Sequence, residues 1–402
     1  MDASMSDTFS PTSPPLNNII ALTDQLLDVA ATAGASDLHL EPLSQSMRIR
    51  MRVDGLMRLL DPPFDQLLGS VAMALVVRLK LLSDMDISES RRPQDGSFQW
   101  QLNDKQVDIR CSSLAGQWGE KLVLRLHWKQ QNIDLNEQGL SIKQLQIVIR
   151  QLSKPQGLIL ATGPTGSGKT MFLYSCLKYI EAPHINIVSA EDPIEIGLEG
   201  VHQVAVNTHI NLSFNQILRA LLRQDPDVIM LGELRDFDSA DVALKAAQTG
   251  HLLLTSMHTH SISEAMHRCH GLGVDMLAFS YCLSLIINQR LVRQLCDQCK
   301  QPMTQSQLAA MTSAEWLDAV ATYEFSFGAV NPCVPASCDS CHGGYRGRVG
   351  VFDLMVMDAS KRDSVAQRQV HSLDQNFGVR RQGLWRVLAG HTSVAEVNRV
   401  TW

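Results

Sequence analysis

Gly163-Pro164-Thr165-Gly166-Ser167-Gly168-Lys169-Thr170 completes the pattern G-x-x-x-x-G-K-[ST] directly after the apolar run Gly157-Leu158-Ile159-Leu160-Ala161-Thr162. A strand feeding such a loop, and a helix leaving it, constrain the fold more than any other feature of the chain. Glycines let the loop bend so that successive backbone N–H groups point inward at phosphate oxygens. Lys169 is placed to neutralise the outer phosphates and the Thr170 hydroxyl to ligate Mg²⁺. The segment from Thr170 to Ile180 carries Met171, Leu173, Tyr174, Leu177 and Ile180 at helical spacing. At average glycine usage a random chain of this length would show the pattern roughly one time in a hundred. The motif in this context predicts a nucleoside triphosphatase of the α/β class, with ATP and Mg²⁺ at the loop.

Composition bounds the rest. With 402 residues, 45% of them apolar, the chain has room for two or three domains of ordinary globular protein. Residues 1–18, MDASMSDTFSPTSPPLNN, are rich in Ser, Thr and Pro and read as a disordered tail without the basic start or apolar centre of a signal peptide. The most apolar run, Leu67 to Leu79, is interrupted by Gly69, Ser70 and Arg78, which argues against a membrane span. A net charge of -6 argues against a broad nucleic-acid surface and favours a cytoplasmic protein with protein partners.

Residues 19–130 read as a small α/β domain. Ile19 to Ala33 has a helical period, and Met47 to Leu60 reads as two strands around the hairpin signal Asp54-Gly55. In the first of these, Arg48, Arg50 and Arg52 alternate with Met47, Ile49, Met51 and Val53. A hairpin around Asn103-Asp104 is expected to join Ser97–Leu102 to Gln106–Ser112, followed by a strand from Lys121 to Leu126. The polar segment 131–139 is the expected linker. From about residue 140 strands alternate with helices, the pattern of a mainly parallel sheet, with strands at Gly157–Thr162, Ile185–Ala190, Val228–Leu231 and His251–Met257.

Two of these strands end in acid, Glu191-Asp192-Pro193-Ile194-Glu195 and Gly232-Glu233-Leu234-Arg235-Asp236. One carboxylate can hold the shell of Mg²⁺ while another orients or deprotonates an attacking water. His251 and His258 bracket the strand from Leu252 to Met257, and a histidine there can sense a γ-phosphate or a catalytic carboxylate. Of the nine cysteines, Cys296 and Cys299 form one C-x-x-C and Cys338 and Cys341 another. Four thiolates so spaced suit a closed tetrahedral shell around structural Zn²⁺, with a redox dithiol as the alternative. Cys333 and the other solitary cysteines read as small buried hydrophobes.

Taken together, these segments resemble the ATPases that drive type II secretion and type IV pilus assembly. Glu191 to Glu195 is similar to that family's Asp box, Arg223 to Asp236 to its Walker B region, and Thr249 to Thr259 to its His box. Ala35-Ser36-Asp37-Leu38-His39-Leu40-Glu41-Pro42, Arg92-Pro93-Gln94-Asp95-Gly96 and Gly119 to Leu126 resemble its upstream motifs. The resemblance implies a RecA-like P-loop domain, residues 140–402, behind a smaller PAS-like domain. It implies a homo-hexamer on the cytoplasmic side of the inner membrane, peripheral to it and engaged with a membrane platform protein. It implies no direct nucleic acid. ATP would lie between the two domains, with Arg110 and Arg125 reaching its phosphates. It gives Glu191 as general base, Glu233 and Thr170 as Mg²⁺ ligands and His258 as a catalytic residue, the two acidic roles being exchangeable. The cysteine pairs, followed by Gly344-Tyr345-Arg346-Gly347-Arg348-Val349-Gly350, resemble the metal module of the assembly branch, which retraction motors lack. Full-length members carry a further N-terminal domain that docks on the platform, and the tail here is too short to replace it. A nucleic-acid translocase of similar core is the rival reading, and an inactive ring subunit the third.

Overall fold

The alternation from Met47 to Val53 becomes the second strand of an antiparallel sheet, with its apolar residues buried on one face and its arginines on the other. The computed structural model describes residues 19–60, 64, 66–102, 105–128, 133–207, 210–323, 327–367, 369 and 378–401. The expected tail, the Asn103-Asp104 turn and the start of the expected linker lie outside the described residues. The chain divides into two compact units, Met1–Gln131 and Asn132–Trp402.

The first unit runs α1 (Ile19–Thr32), β1 (Asp37–Pro42), β2 (Ser46–Val53), β3 (Leu56–Leu59), β4 (Gln66–Leu68), α2 (Gly69–Leu82), β5 (Gln94–Leu102), β6 (Lys105–Gly116) and β7 (Gly119–Trp128). Its sheet has the order β3-β2-β1-β7-β6-β5, with β4 on β2. Asp54 (φ 50°) and Gly55 (φ 83°) both take left-handed backbone, the two-residue turn whose twist matches the strands it joins. Leu22, Leu26 and Leu27 of α1 and Leu75 and Leu79 of α2 share one core with the apolar face of the sheet. Each such side chain contributes about 1.5–3 kcal/mol on burial. On the polar face Glu41 binds Arg48, Arg50 and Lys121, while Asp37 binds Arg52 and Arg125. The strands flanking residues 103–104 are longer than expected because their ladder continues to Gln94↔Ser113.

The second unit is a three-layer α/β fold. Its elements are α3 (Ile142–Leu152), β8 (Gly157–Thr162), α4 (Lys169–Ile180), β9 (Ile187–Glu191), β10 (Val201–Ala205), α5 (Phe214–Leu221), β11 (Val228–Leu231), α6 (Phe237–Gln248), β12 (Leu252–Met257), α7 (Ile262–Gly271), α8 (Met276–Cys282) and β13 (Leu283–Leu295). There follow β14 (Gln301–Pro302), α9 (Gln305–Ala309), α10 (Ala314–Ala321), β15 (Cys333–Val334), β16 (Tyr345–Val356), α11 (Ala359–Ala366), α12 (Gly378–Leu388) and α13 (Val394–Thr401). The main sheet has the order β10-β9-β11-β12-β8-β13-β16, parallel except for β16 against β13. Alternate residues of β8 explain the layers. Leu158 and Leu160 join the core with α5, α6 and α7, while Ile159 and Ala161 join the core with Phe172, Leu173 and Leu177 of α4. Within the segment expected as a linker, residues Leu135–Glu137 form a 3₁₀ turn and Leu135 is buried in that second core. No described helix is long and apolar enough to cross a membrane.

The end of the chain is tied back to β13 through a buried carboxylate. Glu396, whose side chain has 0% exposure, accepts hydrogen bonds from the Arg293 backbone N–H and guanidinium and from Arg399. Arg293 also lies 3.9 Å over the Tyr345 ring. Burial alone would raise the Glu396 carboxyl, but its bonds to Arg399 and Arg293 hold it down to about 2. A depressed folded-state pKa stabilises the fold above the unfolded value of 4.5 and loses that contribution as pH falls toward 2. Replacing Glu396 by Ala leaves a partly buried cation pair without its counter-charge, and we expect a loss of about 3–5 kcal/mol in urea unfolding at pH 7. The gap between wild type and variant should narrow as pH is lowered through that window. An unchanged midpoint at neutral pH would contradict this role.

Candidate active site

The loop between β8 and α4 is shaped by glycines that have no substitute. Gly163, Gly166 and Gly168 have φ of 148°, 76° and 89°, the left-handed half of backbone space where a Cβ is strained. A Cβ on Gly163 would lie 2.5 Å from the Gln289 carbonyl oxygen, and one on Gly168 2.9 Å from Gln289 Nε2. β13 therefore forms the floor of the loop. Gly168 caps α4 without a side-chain hydrogen bond, whereas Ser141, Ser213, Asp236, Ser261 and Asp275 cap α3, α5, α6, α7 and α8 with theirs. The first N–H groups of α4 are thus left for an anion, at the positive end of the helix dipole. Ser167 Oγ and Gln289 Oε1 are buried without a protein partner. Loop, helix end and polar lining fit a polyphosphate, with Pro164 and Thr165 in the same loop.

Lys169, 6% exposed, donates to the carbonyls of Gly163 at 2.8 Å and Pro164 at 3.1 Å. Burial first, and then the charge of Arg290, lowers its pKa to about 8. Its ammonium also lies 3.4 Å from His258 Nδ1, and Thr165 Oγ1 lies 3.5 Å from the same atom. Because an ammonium only donates, His258 Nδ1 accepts and the ring proton sits on Nε2, which contacts Glu233 Oε2 at 2.9 Å. Burial, then the charges of Lys169, Arg268 and Arg235, lower the His258 pKa. Glu233 is placed by its loop. The Gly232 N–H donates to the Ala190 carbonyl at 2.9 Å, the Ser256 hydroxyl to the Gly232 carbonyl at 2.6 Å, and the Leu234 N–H to the Ser256 carbonyl at 3.0 Å. Arg235 pairs with Glu233 and, at 3.0 Å, with Asp192. The phosphate loop, both acidic strand ends and the histidine strand thus meet in one polar chain from Lys169 through His258 and Glu233 to Arg235 and Asp192.

Glu191 is the last residue of β9 and 2% exposed, not a loop residue. Its Oε2 accepts from the Tyr174 hydroxyl, and its Oε1 from Ser189 at 2.7 Å and Gln203 at 3.0 Å. Three of about four lone-pair sites are taken, leaving one on Oε2. Thr170 is half-buried in the first turn of α4. In the first unit, Arg110 and Arg125 are directly opposite each other across β6 and β7, and Arg125 donates to Asp37 at 3.0 Å. His251 is held by its own turn, Nδ1 lying 2.9 Å from the Ala246 carbonyl oxygen, and takes no part in the chain that ends on Lys169. Sequence reasoning missed Asn288, Gln289 and Arg290. The only signal was a polar triplet interrupting the apolar run of β13.

Cys296, Cys299, Cys338 and Cys341 bring their Sγ atoms within 4.8 Å of one another, and Cys333 is outside the group. The closest separations are 3.6, 3.6 and 3.9 Å. Sulfurs at about 2.3 Å from a tetrahedral zinc are about 3.8 Å apart, whereas a disulfide needs about 2 Å. All four thiols are free, and the spacing fits one ion bound by four thiolates. Cys333 is buried and donates to the Asn331 carbonyl at 3.2 Å.

The model of the family described as "Type II/IV secretion system protein" matches residues 14–399. The type IV pilus assembly ATPase PilB of Acinetobacter baylyi is 41% identical over 392 residues, which are 95% of this chain and 66% of that protein. The chain therefore spans just under two thirds of that relative's length. Type II secretion system protein E of Aeromonas hydrophila is 38% identical over 393 residues, 95% of this chain and 75% of that one. Among solved structures, the pilus retraction motor PilT with bound ADP has a TM-score of 0.61 and 24% identity over 94% of this chain and 96% of its own. The Legionella pneumophila ATPase DotB has a TM-score of 0.69 and 19% identity over 97% of both chains. These two share the fold.

The metal centre yields its own expectation. Purified protein should carry about one zinc per chain by elemental analysis. Cys338→Ser should lose it and lower the melting temperature by at least about 5 °C. A zinc-free wild type, or a variant with unchanged metal content and melting, would refute the assignment.

Proposed function

The chain belongs to the type II/IV secretion system protein family, and from that premise we propose that it is an ATPase whose hydrolysis of ATP powers assembly of pilin or pseudopilin fibres. The observation that carries the reading is the chain of contacts from Lys169 through His258 to Glu233, which ties the phosphate loop to an acidic strand end. A group sitting between the phosphate-binding lysine and a carboxylate responds to a γ-phosphate at one end and passes the response to the other.

In this reading Lys169 leaves its loop carbonyls for the phosphates, and the Thr170 hydroxyl and Glu233 would hold Mg²⁺, which would supply neutralisation of the developing charge. Glu191 takes the proton of the attacking water on its remaining Oε2 lone pair, oriented by Tyr174, Ser189 and Gln203. Arg110 and Arg125 are assigned as cations for the phosphates of a bound nucleotide. The working form is a homo-hexamer, cytoplasmic and peripheral to the inner membrane, that pushes on a membrane platform protein. The tetracysteine centre supports the assembly branch, because retraction motors of the resembled family lack it.

Lys169→Ala should abolish turnover of purified protein. Glu191→Gln should bind nucleotide normally while kcat falls by about a hundredfold or more, and Glu233→Gln should instead raise the Mg²⁺ concentration needed for half-maximal rate. Normal turnover in Glu191→Gln would remove the general-base assignment but leave the function standing. In cells, deleting the chain should leave the surface without fibres, and a hyperpiliated surface would overturn the assembly reading.

A further inference from the structure

His258 stands on a short connection between β12 and α7, and nothing in its own strand fixes the ring. The connection is gripped two residues further on. The carbonyl oxygen of His260 accepts from Asn288 Nδ2 at 2.9 Å and from Arg290 Nη2 at 2.8 Å, and its N–H donates to Glu264 Oε2 at 2.5 Å. The two donors are themselves locked together, Arg290 Nη1 donating to Asn288 Oδ1 at 2.8 Å and to the Gln289 carbonyl at 3.1 Å. Alternation along β13 sends Asn288 and Arg290 to the histidine connection and leaves Gln289 against Gly163 and Gly168. The triplet is anchored by the ladder that sets Asn288 opposite Thr162, the residue before the phosphate loop.

We propose that Asn288 and Arg290 are positioning residues of the phosphate site. By clamping the His260 carbonyl to the same strand that floors the phosphate loop, they hold His258 in register with Lys169 and Glu233. The inference rests on the ATPase reading for its consequence in turnover, though not for its geometry. Arg290 is partly buried, and its guanidinium donates to the Gln289 and His260 carbonyls and to the Asn288 side-chain oxygen. These bonds tie it to the position of His258. A displacement of His258 by about 1 Å is enough to cost about a hundredfold in rate.

The test uses the whole chain and reads the ring of His258 directly. At one fixed pH, the ¹⁵N and ¹H ring resonances of His258 are identified by their loss in His258→Ala. Wild type should give one narrow set with the proton on Nε2, and Asn288→Ala and Arg290→Lys should each shift and broaden it. Arg290→Lys keeps the charge and guards against a variant that fails to fold. Unchanged His258 resonances in both variants would overturn the proposal, whatever the protein hydrolyses. Turnover supplies the second arm. Asn288→Ala should lower kcat by about tenfold or more with KM within about threefold, and should add nothing in a His258→Ala background. Losses that multiply in the double variant would also overturn it, because the clamp would then act by another route. Absence of any turnover in the wild type counts against the ATPase reading and leaves the spectroscopic arm to decide the clamp.

Discussion

The contact between Lys169 and His258 is the one on which the site depends. The ammonium of a lysine that is 6% exposed must find acceptors, and Lys169 finds two in its own loop and a third in the imidazole of His258. That contact fixes the tautomer of His258, and the tautomer decides that Nε2 donates to Glu233. Everything else in the second unit serves to bring these groups together. The parallel order of β9, β11, β12 and β8 delivers the ends of four strands to one edge, where an open α/β sheet binds its ligands.

Much of this was legible because the relevant signals are local. The phosphate loop is contiguous, its glycines are required by three left-handed torsions, the strand before it is a short apolar run and the helix after it carries apolar residues at helical spacing. The cysteine pairs declared themselves by spacing, and their sulfurs do converge. The alternating arginines of β2 foretold a sheet with one polar face, and Asp54-Gly55 its hairpin. What stayed hidden is non-local. Gln289 lies against the phosphate loop more than a hundred residues after it in sequence, and no periodicity in β13 points there. The burial of Glu191 under Tyr174 was equally invisible, because a tyrosine at helical spacing reads as core and only the folded chain turns its hydroxyl to the carboxylate. No sequence pattern singles out Glu396, the buried counter-ion of Arg293 and Arg399.

β13 connects these hidden contacts. It passes Asn288, Gln289 and Arg290 at the phosphate loop, Arg293 on Glu396, and ends at Leu295, next in sequence to the first of the four clustered cysteines. Strands in a packed sheet are stiff along their length, so the tetracysteine centre and the C-terminal helices brace the same element that floors the nucleotide loop. With an ion bound, four thiolates so placed would form a closed centre with no open coordination position, and it would hold the far end of that strand.

If His258 links phosphate binding to the acidic end of the site, its loss must show in turnover. Phosphate release from Mg²⁺-ATP, measured on wild type and His258→Ala with nucleotide affinity determined on the same samples, tests it most directly. Wild type should show steady turnover and His258→Ala a kcat lower by about tenfold or more, with affinity within about threefold. Equal turnover in the two proteins would contradict it.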